Sequence, residues 1–354
     1  MKKKNRPWVI LPVLWKFVKQ LIILPLHHAK YRYFIKFGLA LPFFSEAHYY
    51  IINHRPCIIV TVWDFFKLFA KILEKRKAYF IFLIWWSMVS EKIAQRVKNK
   101  YIRHRKKYPE HELIYLCNSP KQYELFKKFS LPCIFCNHNA LVDEDIYKII
   151  PSGEKRYDAI YNAILLPYKR HFLASKIKSL ALITSYALGS TQKQFNKIRK
   201  ILPQATWFNK PIPGEFIPER EMYKYLNQAR VGLCLSRAEG AMYASIEYLL
   251  CGLPVVSTRS EGGRDVFFDE EYVKIVDATP DAVKEGVEEM IKRSIPPDYI
   301  RRKTLEKMKA HRERFIALIQ DIYDREGINK DFRKEWEQVF VNKMIRWEKL
   351  KFIK

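Results

Sequence analysis

Acidic residues are scarce in this chain. Across 354 residues, 37 Asp and Glu stand against 64 Lys and Arg, a formal charge of +27. Such a deficit favours a polyanion: nucleic acid, an anionic membrane face or a phosphorylated substrate. A basic, soluble surface with no dedicated partner reads the same way, and charge alone does not separate these. Cysteine is scarce too. Six in a chain of this length do not form a disulfide framework, and a reducing compartment fits. Cys133 and Cys136 make one C-x-x-C, but their setting, SLPCIFCNHN, reads as a buried strand, so both are expected to be core thiols. There is no internal repeat and no low-complexity segment, which excludes solenoids and fibrous classes. A long unbroken apolar run is also missing. In residues 1–26, MKKKNRPWVILPVLWKFVKQLIILPL, Lys16 and Lys19 interrupt the apolar stretch, Pro12 and Pro25 kink it, and no small-residue cleavage site follows. That argues against a spanning helix and against a signal peptide. Two readings stay open for it: a basic, Trp-bearing segment lying on a membrane face, or a first helix docked on the core. The run YFIFLIWWSMV (79–89) is too short to span and reads as a buried strand.

The chain is long enough for two domains, each with its own core. Hydrophobic residues make up 49% and charged residues 29%, which is neither disordered nor fibrous in type. Aromatic content, at 15%, suits sugar stacking, interfaces and membrane contact alike. Short apolar, β-branched or aromatic runs alternate with longer stretches rich in Lys, Glu and Leu. The runs predict strands at 56–63, 79–86, 112–118, 132–137, 156–163, 180–185, 205–209, 231–236, 254–258 and 273–277. Helix-like stretches at 64–76, 119–129, 219–229, 241–251 and 280–293 separate most of them. This alternation predicts an α/β fold with parallel sheets and helices on both faces. A polar, Pro- and Gly-bearing break at 137–155 suggests a domain boundary. Residues 320–354 read as helical, with Trp336, Phe340 and Trp347 able to pack that stretch back on the body.

The most informative segment is LCLSRAEGAMYASIEYLLCGLPVVSTRSEGG. A buried strand ends at Ser236 and a short loop carries Glu239 and Gly240. A helix is expected from about Ala241 to Cys251, stopped by Gly252, with Pro254 opening a buried strand and Gly262 and Gly263 closing the unit. A helix beginning just after a strand and a glycine offers free backbone N–H groups and a positive dipole end to a phosphate. Small residues at Gly240, Ala241 and Ala244 let a ligand come close. Glu239 at the helix start and Glu247 two turns in stand ~10 Å apart along the axis at the rise of an α-helix. That is about the span from a sugar hydroxyl, past a diphosphate, to a ribose. Taken singly, either Glu has a plain structural reading: Glu239 as a complement to the helix dipole, Glu247 as a solvated helix position.

The joint pattern resembles the donor-site signature of family 4 retaining glycosyltransferases of GT-B architecture, E-x7-E within S-x-x-E-G-x6-E-A-x3-G-x-P-V-V. Ser236, Glu239, Gly240, Glu247, Gly252, Pro254, Val255 and Val256 stand in register, and Tyr248 replaces the usual Ala. The resemblance implies two Rossmann-like domains with parallel sheets facing across a cleft. An acceptor-binding domain would cover 1–140, a nucleotide-sugar-binding domain 141–319 and a helical extension 320–354. It implies that Glu239 contacts the donor sugar and Glu247 the ribose, with Gly240, Ala241, Met242 and Tyr243 at the diphosphate. Two further stretches agree. PCIFCNHNALVDE (132–144) resembles the family's interdomain strand and P-N-G-V-D loop, with Asn137 and Asp143 in matching places. YNAILLPYKRH (161–171) resembles the segment that clamps the donor phosphates. Lys169 falls on the family's Lys, Ile164 stands where the family has Arg, and Arg170 or His171 is a candidate to compensate. Many members end an N-domain strand with a His near the acceptor; Trp85 and Trp86 stand there instead. With Asp64, also at a strand end, they are the expected acceptor-side contacts. His54 and His104 read as surface histidines.

The implied reaction retains the anomeric configuration. Lys169 and the helix N-terminus at 240–243 would stabilise the leaving diphosphate in place of a divalent metal, so no metal and no cofactor are expected. The expected partners are a nucleotide-sugar donor and a glycan or lipid-linked acceptor, of lipopolysaccharide or capsule type. The expected place is the cytoplasm, peripheral at the inner face of the membrane; nucleic acid is not the expected partner. Two alternatives stay open: a basic nucleic-acid- or membrane-binding protein on the same scaffold with a degenerate donor site, and a phosphorylase or epimerase of the same architecture.

Overall fold

All ten strands expected from the apolar runs form. The computed structural model describes residues 46–63, 66–151, 153–184, 191–210, 217–339, 344 and 346–349. Asp64, the segment 1–26 and Phe340 lie outside the described residues, as does the side chain of Trp347.

The first sheet contains β1 (Glu46–His54), β2 (Cys57–Val62), β3 (Ala78–Leu83), β4 (His111–Cys117) and β5 (Cys133–Phe135), in that spatial order. From β2 to β5 the strands are parallel, while β1 pairs antiparallel with β2. Every residue of β2 and β3 is buried, as a parallel strand covered on both faces requires. Helices α1 (Phe66–Ile72), α2 (Glu91–Lys107) and α3 (Pro120–Lys128) make the crossovers. Ser90 and Ser119 cap the last two through their side chains, and Pro120 occupies the first turn of α3, where its missing N–H costs nothing.

The second sheet is parallel throughout. It comprises β6 (Tyr157–Asn162), β7 (Leu180–Ile183), β8 (Thr206–Trp207), β9 (Ala229–Cys234), β11 (Val255–Thr258) and β13 (Val273–Val276). Its spatial order is β13-β11-β9-β6-β7-β8. The chain therefore builds outward from β6 in one direction, then returns to build outward from β9 in the other. The point between β6 and β9 is the topological switch, where open α/β sheets bind ligands at their strand C-terminal ends. Helices α4 (Gln192–Ile201), α5 (Met222–Leu226), α6 (Tyr243–Leu250) and α7 (Pro280–Arg293) belong to this half. A separate bridge joins β10 (Ala238–Glu239) to β12 (Glu261–Gly262) in parallel.

The chain crosses between the sheets once from β5 to β6, through the expected polar stretch, and returns along α8 (Pro297–Arg325). This helix serves both cores: Ile300 and Met308 pack into the second, Phe315, Ile319, Ile322 and Tyr323 into the first. Arg312 fastens it to the crossing segment. Its Nε donates to Ala140 O at 2.7 Å, Nη2 to Val142 O at 2.9 Å, and Nη1 to Glu144 Oε1 at 2.8 Å. Burial works against the ionised Glu144 carboxylate, yet the Arg312 guanidinium holds its pKa below the usual range.

Residues 346–349, read as helical, form a strand instead. After α9 (Phe332–Val339), β14 (Arg346–Lys349) joins the first sheet antiparallel to β1. RWEK has no apolar alternation to announce a strand; β1 supplies the edge that makes it one. Trp336, half-buried, meets Phe315 and Phe332 at ring distances of 5.8 and 6.1 Å. His104, read as a surface histidine, is 7% exposed and lies 3.2 Å from His111 Nδ1 through its Nε2. No helix among the described residues is long and apolar enough to cross a membrane.

Candidate active site

The loops after β6 and β9, on either side of the switch point, bring Lys169 and Glu239 together. Lys169 Nζ pairs with Glu239 Oε1, and each side chain is only 10% exposed. Lys169 is positioned from behind: Tyr161 of β6 donates its hydroxyl to the Lys169 carbonyl at 2.6 Å. A buried, mutually neutralising pair is what a diphosphate and a sugar hydroxyl would take apart, one attracting the cation and the other donating to the carboxylate.

Glu239 reaches this place by a route the helical spacing does not suggest. It belongs to β10, not to the helix start, and α6 begins four residues later at Tyr243. Between them Met242 adopts φ 61°, ψ 90°, a left-handed conformation that costs a non-glycine residue of order 1–3 kcal/mol. Ser236 Oγ lies 3.7 Å from the Met242 sulfur, and Asn139 Nδ2 donates to the Ala241 and Met242 carbonyls at 2.9 and 3.1 Å. The expected helix N-terminus at 240–243 thus moves to the first turn from Tyr243, and the axial spacing inferred between the two glutamates does not apply.

Glu247 is 3% exposed rather than solvated. Tyr147 donates its hydroxyl to Oε1 at 3.0 Å and Asn162 Nδ2 donates to Oε2 at 3.2 Å. Burial and the carboxylates of Glu247 and Glu219 push the Tyr147 phenol well above its ordinary pKa, so it stays a donor. Tyr248, the departure from the family's Ala, has its own explanation. Its ring covers Gly232 of β9, where a Cβ would lie 2.5 Å from the ring carbons, and its hydroxyl accepts from the Asn162 N–H at 2.6 Å. The larger side chain is accommodated by a glycine beneath it and orients the Asn that holds Glu247. At the other end of α6, Gly252 at φ 71° lets the Leu253 N–H reach the Tyr248 carbonyl at 2.9 Å, a Schellman stop.

Glycines also seal the seam between the two halves. A Cβ on Gly240 would lie 2.4 Å from the Trp85 carbonyl oxygen, and one on Gly263 would lie 2.2 Å from that of Asn118. Asn137 bridges the same seam, Nδ2 donating to Asn118 O at 2.8 Å and Gly263 O at 2.7 Å. Gly262, at φ 114°, would place a Cβ 1.7 Å from the Glu239 carbonyl. Gly262→Ala is therefore expected to displace Glu239 and cut activity at least tenfold. Its far-ultraviolet circular dichroism should match the wild type, because the bridge it breaks is two residues long.

Arg170 is held at the ends of β9 and β11. Its Nε donates to Leu235 O and its Nη2 to Thr258 Oγ1, both at 2.6 Å. His171 is buried and its pKa falls to about 4, through burial first and the neighbouring Lys169 second, so it is a neutral imidazole at pH 7. Ile164 is half-buried. Of the acceptor-side residues, Trp85 meets the seam through its backbone and His48 through its ring, edge-on at 5.4 Å. Trp86 is 58% exposed. Cys133 and Cys136 are free thiols; burial pushes Cys136 up to about 12, and its Sγ donates to the His311 carbonyl at 3.4 Å.

Sequence reading missed Arg264. It is 1% exposed and ties the C-terminal ends of β9 and β11 together. Nη1 donates to the carbonyls of Cys234 and Ser236, both at 3.0 Å, and Nη2 to Ser257 Oγ at 2.8 Å. Nε meets Asp265 Oδ1 at 2.8 Å. The only signal was an Arg directly after Gly-Gly at a strand-end loop. Arg264→Met is expected to cost about 3–5 kcal/mol by leaving several buried acceptors without a donor, read as a fall in the urea midpoint.

Residues 212–310 match the sequence profile of the family described as glycosyl transferases group 1. Among curated proteins none matches the chain significantly by sequence. In fold the chain is similar to sucrose-phosphate synthase from Thermosynechococcus elongatus, at 13% identity and a TM-score of 0.52, over 77% of this chain and 74% of that one. It is also similar to an alpha,alpha-trehalose-phosphate synthase (UDP-forming) from Burkholderia xenovorans, at 11% identity and a TM-score of 0.50, over 76% and 73% of the two chains. A TarM mutant from S. aureus, in complex with fondaparinux, alpha-GlcNAc-glycerol and UDP, aligns at 13% identity and a TM-score of 0.52, over 73% of this chain and 55% of that one. At such identities the likeness is one of fold. Two six-stranded, largely parallel sheets and this likeness of fold make this a chain of GT-B fold, and its residues 212–310, which include Glu239 and Glu247, match the profile of glycosyl transferases group 1.

Proposed function

We propose that the protein is a retaining glycosyltransferase that moves a sugar from a nucleotide-sugar donor to a glycan or lipid-linked acceptor in envelope polysaccharide synthesis. It would work in the cytoplasm at the inner face of the membrane. The observation that carries the reading is the buried Lys169–Glu239 pair at the switch point, with Glu247 held ready by Tyr147 and Asn162. The UDP in the TarM complex and the UDP-forming activity of the Burkholderia xenovorans synthase support a nucleotide-sugar donor.

In this reading Lys169 leaves Glu239 for the donor diphosphate, Glu239 accepts from hydroxyls of the donor sugar, and Glu247 accepts from the ribose. The first turn of α6 adds its dipole to the phosphate charge. The acceptor hydroxyl attacks the anomeric carbon from the face the phosphate leaves. The bond from that carbon to the phosphate oxygen breaks, and the hydroxyl proton passes to that oxygen. Trp85 and Trp86 offer aromatic faces to the acceptor.

The test is transfer itself. Labelled nucleotide sugars are incubated with the protein and envelope lipid extract, and nucleoside diphosphate release is followed with and without acceptor. Acceptor-dependent release, with a product whose anomeric proton coupling matches the donor's, is the expected result. Inverted coupling would overturn retention, and acceptor-independent release would point to a hydrolase or phosphorylase.

A further inference from the structure

Beside Asn162, at the C-terminal end of β6, three further segments converge, and two of them bring carboxylates. Tyr147 comes from the segment that crosses between the sheets and is fully buried. Its carbonyl accepts from Arg301 of α8, which also holds the Glu144 carbonyl at 2.9 Å. Its hydroxyl lies 3.0 Å from Oε1 of Glu247 on α6 and 3.2 Å from Oε1 of Glu219. Glu219 opens the single turn Glu219–Glu221 that leads into α5. A phenol carries one proton, so Tyr147 donates to one carboxylate at a time. Burial and the two carboxylates keep that proton on the phenol. As a purely structural tie this is a poor arrangement, because two acceptors compete for one donor. For a ligand with two adjacent hydroxyls it is a good one, since each hydroxyl donates and each carboxylate accepts. Glu247 is 3% exposed and Glu219 half-buried, so the second carboxylate is the more open of the two.

We propose that Glu219 is a specificity-determining residue of the donor site. Together with Glu247 it reads both hydroxyls of the donor's ribose, so the site takes ribonucleotide sugars and discriminates against 2′-deoxyribonucleotide sugars such as the dTDP series. The inference rests on the proposed function, which gives Glu247 to the ribose. Both Glu247 oxygens already have a donor, Tyr147 on Oε1 and Asn162 on Oε2. Glu219 adds acceptor capacity on the other side of the Tyr147 hydroxyl. A site built to hydrogen-bond a hydroxyl rejects the analogue that lacks it, because an acceptor is then left without its donor.

Calorimetric titration of the full chain with matched nucleotides tests this: UDP, GDP and ADP, each beside its 2′-deoxy and 3′-deoxy counterparts. The wild type should bind the ribonucleotide about ten- to a hundredfold more tightly than either deoxy analogue, the worth of one hydrogen bond to a charged group. Glu219→Ala should weaken the ribonucleotide by about the same factor. It should leave one of the two deoxy analogues within roughly threefold of its wild-type affinity, because the hydroxyl that analogue lacks is the one Glu219 serves. Glu221→Ala, exposed on the same turn, should change neither. Equal weakening of the ribonucleotide and both analogues by Glu219→Ala would make the residue a structural support and overturn the proposal. So would no change at all. So would a shift in the ratio of UDP to GDP affinity with the ribo-to-deoxy ratio intact, since the carboxylate would then read the base. If no nucleotide binds the wild type, the transferase reading falls and takes this inference with it. If a nucleotide binds and the variant keeps the wild-type discrimination, this inference falls alone.

Discussion

Glu239→Gln is expected to slow sugar transfer by about a hundred- to a thousandfold, the usual cost of removing one preorganised polar group from a transfer site. The same substitution leaves Lys169 buried without its partner, and both side chains are 10% exposed. Breaking such a pair from one side costs about 3–5 kcal/mol, whereas replacing both members with uncharged groups of similar shape is often close to neutral. Activity and stability should therefore separate in a cycle of Glu239→Gln, Lys169→Met and the double variant. Each single variant loses both. The double variant recovers most of its stability and none of its activity. If the double variant recovered activity along with stability, the pair would be a structural tie and nothing more.

The second large effect is on stability in acid. His104, His171 and His311 each have a native pKa lowered from 6.5 to about 4, chiefly by burial. Neighbouring cations add to this: Arg105 and Lys107 at His104, Lys169 at His171, Arg314 at His311. Between pH 6.5 and about 4 the unfolded chain protonates these imidazoles and the native one does not. The unfolded state then binds more protons, so stability is full above that window and falls as pH drops through it. Each such group contributes about 1.4 kcal/mol per pH unit, so the three together should remove on the order of 5 kcal/mol between pH 6.5 and 5. In a chain of this size that is a fall of roughly 10 °C in Tm. His48 and His111, also lowered by burial, act in the same direction. A Tm that stays level from pH 7 to 5 would mean these imidazoles are protonated in the native state.

Much of this architecture was legible because it rests on apolar runs. Parallel strands buried on both faces, such as β2 and β3, have to be continuously hydrophobic, and VTV or FIFL cannot be anything else for long. β14 was not legible, since a strand of Arg, Trp, Glu and Lys exists only through its pairing with β1. The glutamates were found by pattern, but their geometry was not. Glu239 sits in a two-residue bridge because Gly262 takes a backbone angle closed to other residues, and Met242 turns the chain left-handed before α6. Neither feature has a local sequence signature beyond a glycine. Arg170 was a candidate to compensate for Ile164; its left-handed backbone, which the sequence does not announce, brings its Nε and Nη2 to the ends of β9 and β11. Arg264 holds those same strand ends from the other side. Charge in a basic chain does not announce which arginines are inside it.

The most direct test of the central claim is thermal unfolding of the full chain with a panel of UDP-, GDP-, ADP-, dTDP- and CMP-sugars, on the wild type and on Glu247→Gln. A ligand bound by the native state raises Tm by mass action. The account predicts that one nucleotide series stabilises the wild type by several degrees and the Glu247→Gln protein much less, because an uncharged amide with one acceptor oxygen replaces a carboxylate with two. A panel in which no nucleotide sugar shifts either protein, or in which one shifts both equally, would contradict a donor site built on Lys169, Glu239 and Glu247.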